Sequence, residues 1–390
     1  MTASCFRPGI HVLARDRRQR LRGRRIGLVT HPAAVDTDGA PAADLLMRVA
    51  GARLTALFGP EHGFWGGAPA GRRVKTARHP VWSVPVYSLY GDTRRPTPAM
   101  LRRVDALVFD LQDLGARPYT YVATLRGVLE AAAAAGKPVV VADRPVPLPE
   151  VVDGPLPEPG YESFVCPAPL PMHYGMTPGE TALWMRDTLS IGVDLEVAPM
   201  RHYGRNPRRA CGWPPWIPPS PGIRCWEAGA VYTATVFCEA LPALDNGRGT
   251  GLAFRVLGAP WLNPAALCEA LSAAGLRGVH FHPHPFVAAG KRYAGRLLNG
   301  VRLTVVNPVS FRPVTTALTI LACLQRLYGR RRVWQGAGSR PEFFDRLFGG
   351  RGVREALLDG CDPAEIAAGA RRGAARFRRQ RRDVLLYRST

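Results

Sequence analysis

Residues 104–145 read VDALVFDLQDLGARPYTYVATLRGVLEAAAAAGKPVVVADRP, and this stretch decides the fold. A continuous apolar run, Ala106 to Phe109, stops at Asp110. A polar loop from Gln112 to Pro118 leads into a helix expected from about Tyr121 to Ala135, and Gly136 closes it. A second β-branched run, Val139 to Val141, stops at Asp143 and Arg144. Short unalternating apolar runs on both sides of a helix indicate strands buried on both faces. The unit is βαβ, and ligands of open α/β sheets bind outside the C-terminal ends of such strands.

Working towards the N-terminus, the pattern repeats. Arg24 to His31 reads as a strand, Ala40 to Gly51 as a helix, and Leu54 to Phe58 as a strand running into Gly59-Pro60-Glu61-His62-Gly63. A loop then reaches Val86, and a short helix covers Pro98 to Arg103. Four strand ends therefore aim His31, Glu61/His62, Asp110/Gln112/Asp113 and Asp143/Arg144 at one rim. Strands alternating with helices give an α/β fold, a Rossmann-like doubly wound parallel sheet. The first strand is followed by no G-x-G-x-x-G, so the dinucleotide fingerprint is missing.

Working towards the C-terminus, 145–179 is proline-rich, Pro178 to Leu189 reads as a helix and Asp194 to Val197 as a strand. Tyr203 to Gly222, with its Trp-Pro-Pro-Trp cluster, excludes regular structure, and its tryptophans are candidates to line a cleft. Beyond it come expected strands (Val231–Phe237, Phe254–Leu257, Val279–His282, Val301–Val306) and helices (Pro264–Ala274, Val314–Tyr328 and others after Pro341). The division expected is a Rossmann-like catalytic domain over 1–203, a Pro/Trp-rich crossing segment over 204–225, and a smaller α+β domain over 226–390.

Composition narrows the function classes. The 390 residues carry a formal charge of +22, but the cations are 49 Arg and only three Lys. That bias fits an arginine-rich coding background spread over the surface, and nucleic acid is not the expected partner. Binding to an anionic polymer such as nucleic acid or teichoic acid, without catalysis, is the alternative reading. No apolar stretch approaches a membrane span, and charge comes too early for a signal peptide, so a cytoplasmic location is expected. The eight cysteines are scattered, without C-x-x-C, and read as reduced thiols. His280, His282 and His284 alternate at strand spacing but have no carboxylate or thiolate beside them, so neither metal nor cofactor is expected.

Within the rim, Glu61 is the sharpest candidate. Flanking glycines let the backbone turn tightly, and apolar Phe58, Phe64 and Trp65 would suit a carboxyl serving as general acid. Otherwise it caps a helix. Asp110 and Asp113 could supply a second carboxylate, or cap the next helix and pair with Arg117. Gln112, Arg117, Tyr119 and Tyr121 offer hydrogen bonds and a stacking surface, as do His62, His173 and Tyr174. Arg248, between two glycines of Asp245-Asn246-Gly247-Arg248-Gly249-Thr250, is placed to meet a carboxylate or to form a structural ion pair.

These motifs, in this order, resemble the NamZ-type exo-β-N-acetylmuramidases, glycoside hydrolases of peptidoglycan turnover. The matching stretches include GLVTHPAAVD, LFGPEHGFWG, PVYSLYGDTRRPTPAML, DALVFDLQDLGARPYTY, ADRPVPL, MHYGMTPGE, KRYAGRLLNGV and FRPVTTAL, and they span nearly the whole chain. The stretch before GRGT runs from Glu239 to Asn246, its glutamate displaced by one position from the usual family placing. The resemblance implies a cleft between two domains and exolytic removal of terminal β-1,4-linked N-acetylmuramic acid from muropeptide-derived saccharides. Glu61 with Asp110 or Asp113 would then be catalytic, and Arg117, ranked ahead of Arg248 and Arg144, would read the lactyl carboxylate that distinguishes muramic acid from N-acetylglucosamine.

Overall fold

The computed structural model describes residues 6–16, 18–49, 51–205, 216–290 and 292–388. The βαβ unit consists of β5 (Ala106–Asp110), the helix Tyr121–Ala134 and β6 (Val139–Ala142), the two strands paired in parallel. Leu107, Phe109, Val139 and Val141 enter one core, whereas Ala106, Val108, Val140 and Ala142 enter another. Both faces are covered, so every position is apolar and no alternation shows in the sequence.

Five more strands extend the sheet: β1 (Arg25–Thr30), β2 (Arg53–Gly59), β3 (Ala77–Arg78), β4 (Pro85–Ser88) and β7 (Leu195–Ala198). Their order is β3-β4-β2-β1-β5-β6-β7, parallel except for the β3 edge. The chain winds outward from β1 in both directions, the doubly wound arrangement expected. Residues 85–88, expected as the end of a loop, pair with β2 as a strand. The expected Ala40–Gly51 helix shortens to Ala42–Met47.

The second half carries β8 (Val256–Ala259), β9 (Val279–Pro283), β10 (Phe286–Val287) and β11 (Leu297–Val305) in an antiparallel sheet. One expectation is reversed. Residues 231–237, read as a strand from their β-branched content, lie in the helix Trp226–Thr235 and the 3-10 turn Val236–Glu239. Burial explains the misreading: Ala228 to Thr235 are all buried, so no polar stripe marks the helical period. The larger core runs without a break from Phe58 and Phe109 of the first sheet to Leu321, Phe344 and Phe377 of the second half.

Arg117 fastens the halves together. It is fully buried, and its guanidinium donates to the carbonyls of Pro155 (3.1 Å), Leu170 (2.7 Å) and, in the C-terminal half, Leu347 (3.0 Å). Desolvation pushes its pKa down, since carbonyl dipoles rather than a carboxylate compensate the charge. Arg117→Met should strand these carbonyls and cost about 3 kcal/mol, read as a lower urea midpoint for unfolding. An unchanged midpoint would show the fastening to be idle.

Candidate active site

The rim of the first sheet does not present its polar residues to one crevice. Thr30 of β1 pairs with Asp110 of β5 at the point where the winding reverses, the usual ligand crevice of such sheets. Here the chain itself fills that place. Buried His31 accepts the Gln112 backbone N–H at Nε2 (2.9 Å), and its Nδ1 faces the Pro219 carbonyl at 3.2 Å. Tyr121 also donates to that carbonyl, at 2.7 Å. Burial, with the Arg144 charge behind it, pushes His31 down to about 3, so the ring is neutral and Nδ1 carries the proton.

Asp110, expected as a catalytic carboxylate, is fully buried and engaged by Arg144 through both guanidinium Nε and Nη2. It does not line the cleft; its partner is structural. Gln112 also turns inward, donating to the carbonyls of Asp113 (3.0 Å) and Pro145 (2.6 Å). Asp113 caps its own loop: Oδ1 accepts from the N–H groups of Leu114 (2.6 Å) and Gly115 (2.9 Å). Arg117 points away from the cleft into the fastening described above. His173 and Tyr174 are buried, their loop bridging the backbones of Ala116 and Asp153. Tyr174 reaches Asp113 at 3.4 Å, and desolvation takes His173 down to about 4. Each of these side chains is spent on the interior.

What remains forms a cleft of about 1040 Å³ between the β2 end of the sheet and the second half. Glu61, His62, Tyr119 and Arg248 line it, together with Glu239, Tyr90, Phe164 and Tyr232. Glu61 is 8% exposed; Oε1 accepts the Gly71 N–H (2.7 Å) and Oε2 the Thr120 hydroxyl (2.7 Å). The carboxyl is thus held by polar donors rather than an apolar surround. His62 closes the intervening loop. Its backbone adopts φ 71, its carbonyl accepts the Ala68 N–H (3.2 Å), and its Nδ1 contacts the Ala68 carbonyl (2.7 Å). Burial lowers its pKa. The carbonyl places the proton on Nδ1 and leaves Nε2 an acceptor.

Tyr119 stacks edge-on against Tyr121 (4.7 Å between centroids) and Tyr232 (5.7 Å) as an aromatic wall. The second half contributes Glu239 to the same cleft, ion-paired with Arg248 at 3.2 Å. The Arg248 guanidinium also lies 5.3 Å over the Phe254 ring. The charges of Glu61, Glu239 and Arg248 all bear on buried Tyr232, and both carboxylates line the one cleft. Glu239 was not among the candidates read from the sequence as catalytic. Its signal was the glutamate preceding the glycine-rich turn, six residues before Asp245.

Of the tryptophans expected at a cleft, Trp213 lies outside the described residues, and Trp216 donates to the Ile223 carbonyl at 3.0 Å. Cys5 and Cys211 also lie outside them. Among the described residues no group of three His, Cys, Asp or Glu side chains is disposed to hold a metal, and no helix is long and apolar enough to cross a membrane.

Residues 26–227 match the family pattern described as exo-beta-N-acetylmuramidase NamZ, N-terminal, and residues 230–387 the corresponding C-terminal pattern. The chain is 38% identical over 380 residues to the peptidoglycan beta-N-acetylmuramidase NamZ of Bacillus subtilis (strain 168), covering 97% of this chain and 91% of that one. Two crystal structures of DUF1343 family proteins from Bacteroides fragilis NCTC 9343 share the fold. One superposes with a TM-score of 0.90 at 30% identity, covering 98% of this chain and 99% of that one. The other gives 0.78 at 26%, covering 99% and 100%.

Asp113 yields a pH test. Burial raises its pKa to about 6 from 3.8, against the pull of its two backbone donors. Because the folded value exceeds the unfolded one, its contribution to stability is full below the unfolded value and disappears as pH rises through about 6. Wild type should therefore lose up to about 3 kcal/mol relative to Asp113→Asn between pH 4 and 7. A wild-type-minus-variant difference that stays level across this range would contradict it.

Proposed function

The chain belongs to the exo-β-N-acetylmuramidase NamZ family, and from that premise we propose how its cleft cleaves a glycoside. The enzyme is a glycoside hydrolase that releases terminal N-acetylmuramic acid from peptidoglycan-derived saccharides. Glu61 is the general acid that protonates the leaving oxygen. The observation that carries this reading is its position: a carboxyl lining the cleft, 8% exposed, its orientation fixed by the Gly71 N–H and the Thr120 hydroxyl. A positioned acid of this kind contributes about 10²–10⁴-fold to rate.

A second acceptor is required for the anomeric carbon or for water. Glu239 takes this role instead of Asp110 or Asp113, because it lines the same cleft as Glu61 while they are committed to the interior. Either it activates water, or it orients the 2-acetamido group of the sugar as an internal nucleophile. Arg248 holds it in place through their ion pair. His62 Nε2 and the Tyr119 wall supply an acceptor and a stacking surface for the sugar. The reading places the enzyme in a reducing cytoplasm, supported by the six described cysteines, which stand as free thiols.

Glu61→Gln and Glu239→Gln, assayed on a chromogenic β-N-acetylmuramide, should each lower kcat by about 100-fold or more. Full turnover in Glu61→Gln would remove that residue from the chemistry, and full turnover in Glu239→Gln would leave the second role to the substrate alone.

A further inference from the structure

The lactyl carboxylate of muramic acid needs a cation in the cleft, and the residue expected for it, Arg117, is buried elsewhere. The arginines that do line the cleft are not equivalent. Arg72, next to the Gly71 donor, is exposed, and no ring is stacked against it among the described residues. Arg248 is neutralised by Glu239. Arg292 is tied to the Ala337 carbonyl, Arg340 to that of Glu239, and Arg224 to that of Pro221. Arg346 also borders a hollow walled by Glu162, Glu342 and Asp345.

Arg94 is different. Its guanidinium carbon lies 3.6 Å from the centroid of Tyr90 and 4.6 Å from that of Phe164, and both rings line the cleft. The rings themselves are 5.6 Å apart, so the cation is held in an aromatic corner. Among the described residues no ion pair engages it. Arg94 also donates to the Tyr90 hydroxyl; stacking uses the face of the guanidinium, and the N–H groups not spent on that bond can meet a carboxylate. The Tyr90 hydroxyl is hydrogen-bonded to both Arg94 and Glu61, so one tyrosine links the cation to the proposed acid. In muramic acid, the lactyl ether at C3 is two ring carbons from the scissile C1.

We infer that Arg94, laid over Tyr90 and Phe164, meets the 3-O-lactyl carboxylate and selects muramic acid over N-acetylglucosamine. This inference rests on the muramidase reading above. It makes Arg94 a specificity-determining residue, distinct from the pair that performs the bond cleavage. Phe164 and Tyr90 hold the guanidinium, so the selectivity is built into an edge of the cleft and not into its floor.

The test is a cycle of enzyme and substrate changes. Wild type and Arg94→Gln are assayed on a chromogenic β-N-acetylmuramide and on the same glycoside with its lactyl carboxylate methyl-esterified. Wild type should prefer the free acid by about tenfold or more in kcat/KM. Arg94→Gln should cleave both at a similar rate, close to that of wild type on the ester, and Arg94→Lys should recover only part of the preference. An active Arg94→Gln enzyme that keeps the full acid-over-ester preference overturns the assignment. If wild type cleaves neither glycoside while remaining folded by circular dichroism, the muramidase reading falls and the assignment with it. Arg94 is exposed, so loss of folding is not the expected result of the substitution.

Discussion

A single backbone carbonyl, that of Pro219, closes the crevice where sheets of this kind usually bind. It sits at the reversal point of the sheet and receives both Tyr121 and the buried imidazole of His31. Polar groups buried at the end of a sheet must find partners, because an unpaired one costs about 1–3 kcal/mol. In many sheets of this kind a ligand's phosphates meet that need. Here the crossing segment does so, and the crevice becomes part of the interior. Opening is displaced sideways, to the end of β2, where Glu61 and His62 face the second half.

The same constraint separates what could be read in the sequence from what could not. Strand runs such as Ala106 to Phe109 and Val139 to Val141 were legible because burial on both faces demands apolar residues at every position. The PEHG turn was legible because flanking glycines and a charged pair are costly at a strand end without a purpose. The roles of Asp110, Gln112, Asp113, Arg117, His173 and Tyr174 were not. A carboxylate at a strand end looks the same in sequence whether its partner is substrate or Arg144, and that partner lies 34 residues away. Arg117 depends on Leu347, 230 residues distant, which no local pattern reports. The helix Trp226–Thr235 was hidden for a different reason: total burial erased its amphipathic period.

Charge is also partitioned by depth. The formal charge of +22 invites an electrostatic account of the whole surface, yet several arginines do their work away from water. Arg144 and Arg205 neutralise buried carboxylates, the latter bonding Glu180 at 2.5 and 2.7 Å. Arg117 and Arg381 bind carbonyls, and Arg381 is pushed down to about 10 by desolvation. A guanidinium tolerates this because it remains charged even when such shifts are large. Lysine, with its compact and strongly hydrated head, would serve poorly in these places.

The hold on Glu61 has an evolutionary corollary. One of its two donors is the backbone N–H of Gly71, reached through a loop that His62 closes on Ala68. A peptide N–H is the same whatever side chain accompanies it, so apart from Gly66 and Gly71, which stand at φ 70 and 72, residue identities between Phe64 and Gly71 can drift while the carboxyl keeps its aim. Loop length has no such freedom: one inserted or deleted residue would shift the donor by the span of a peptide unit, about 3.8 Å. Divergent descendants of this scaffold would therefore show variable lettering but constant spacing between the glutamate and its amide donor.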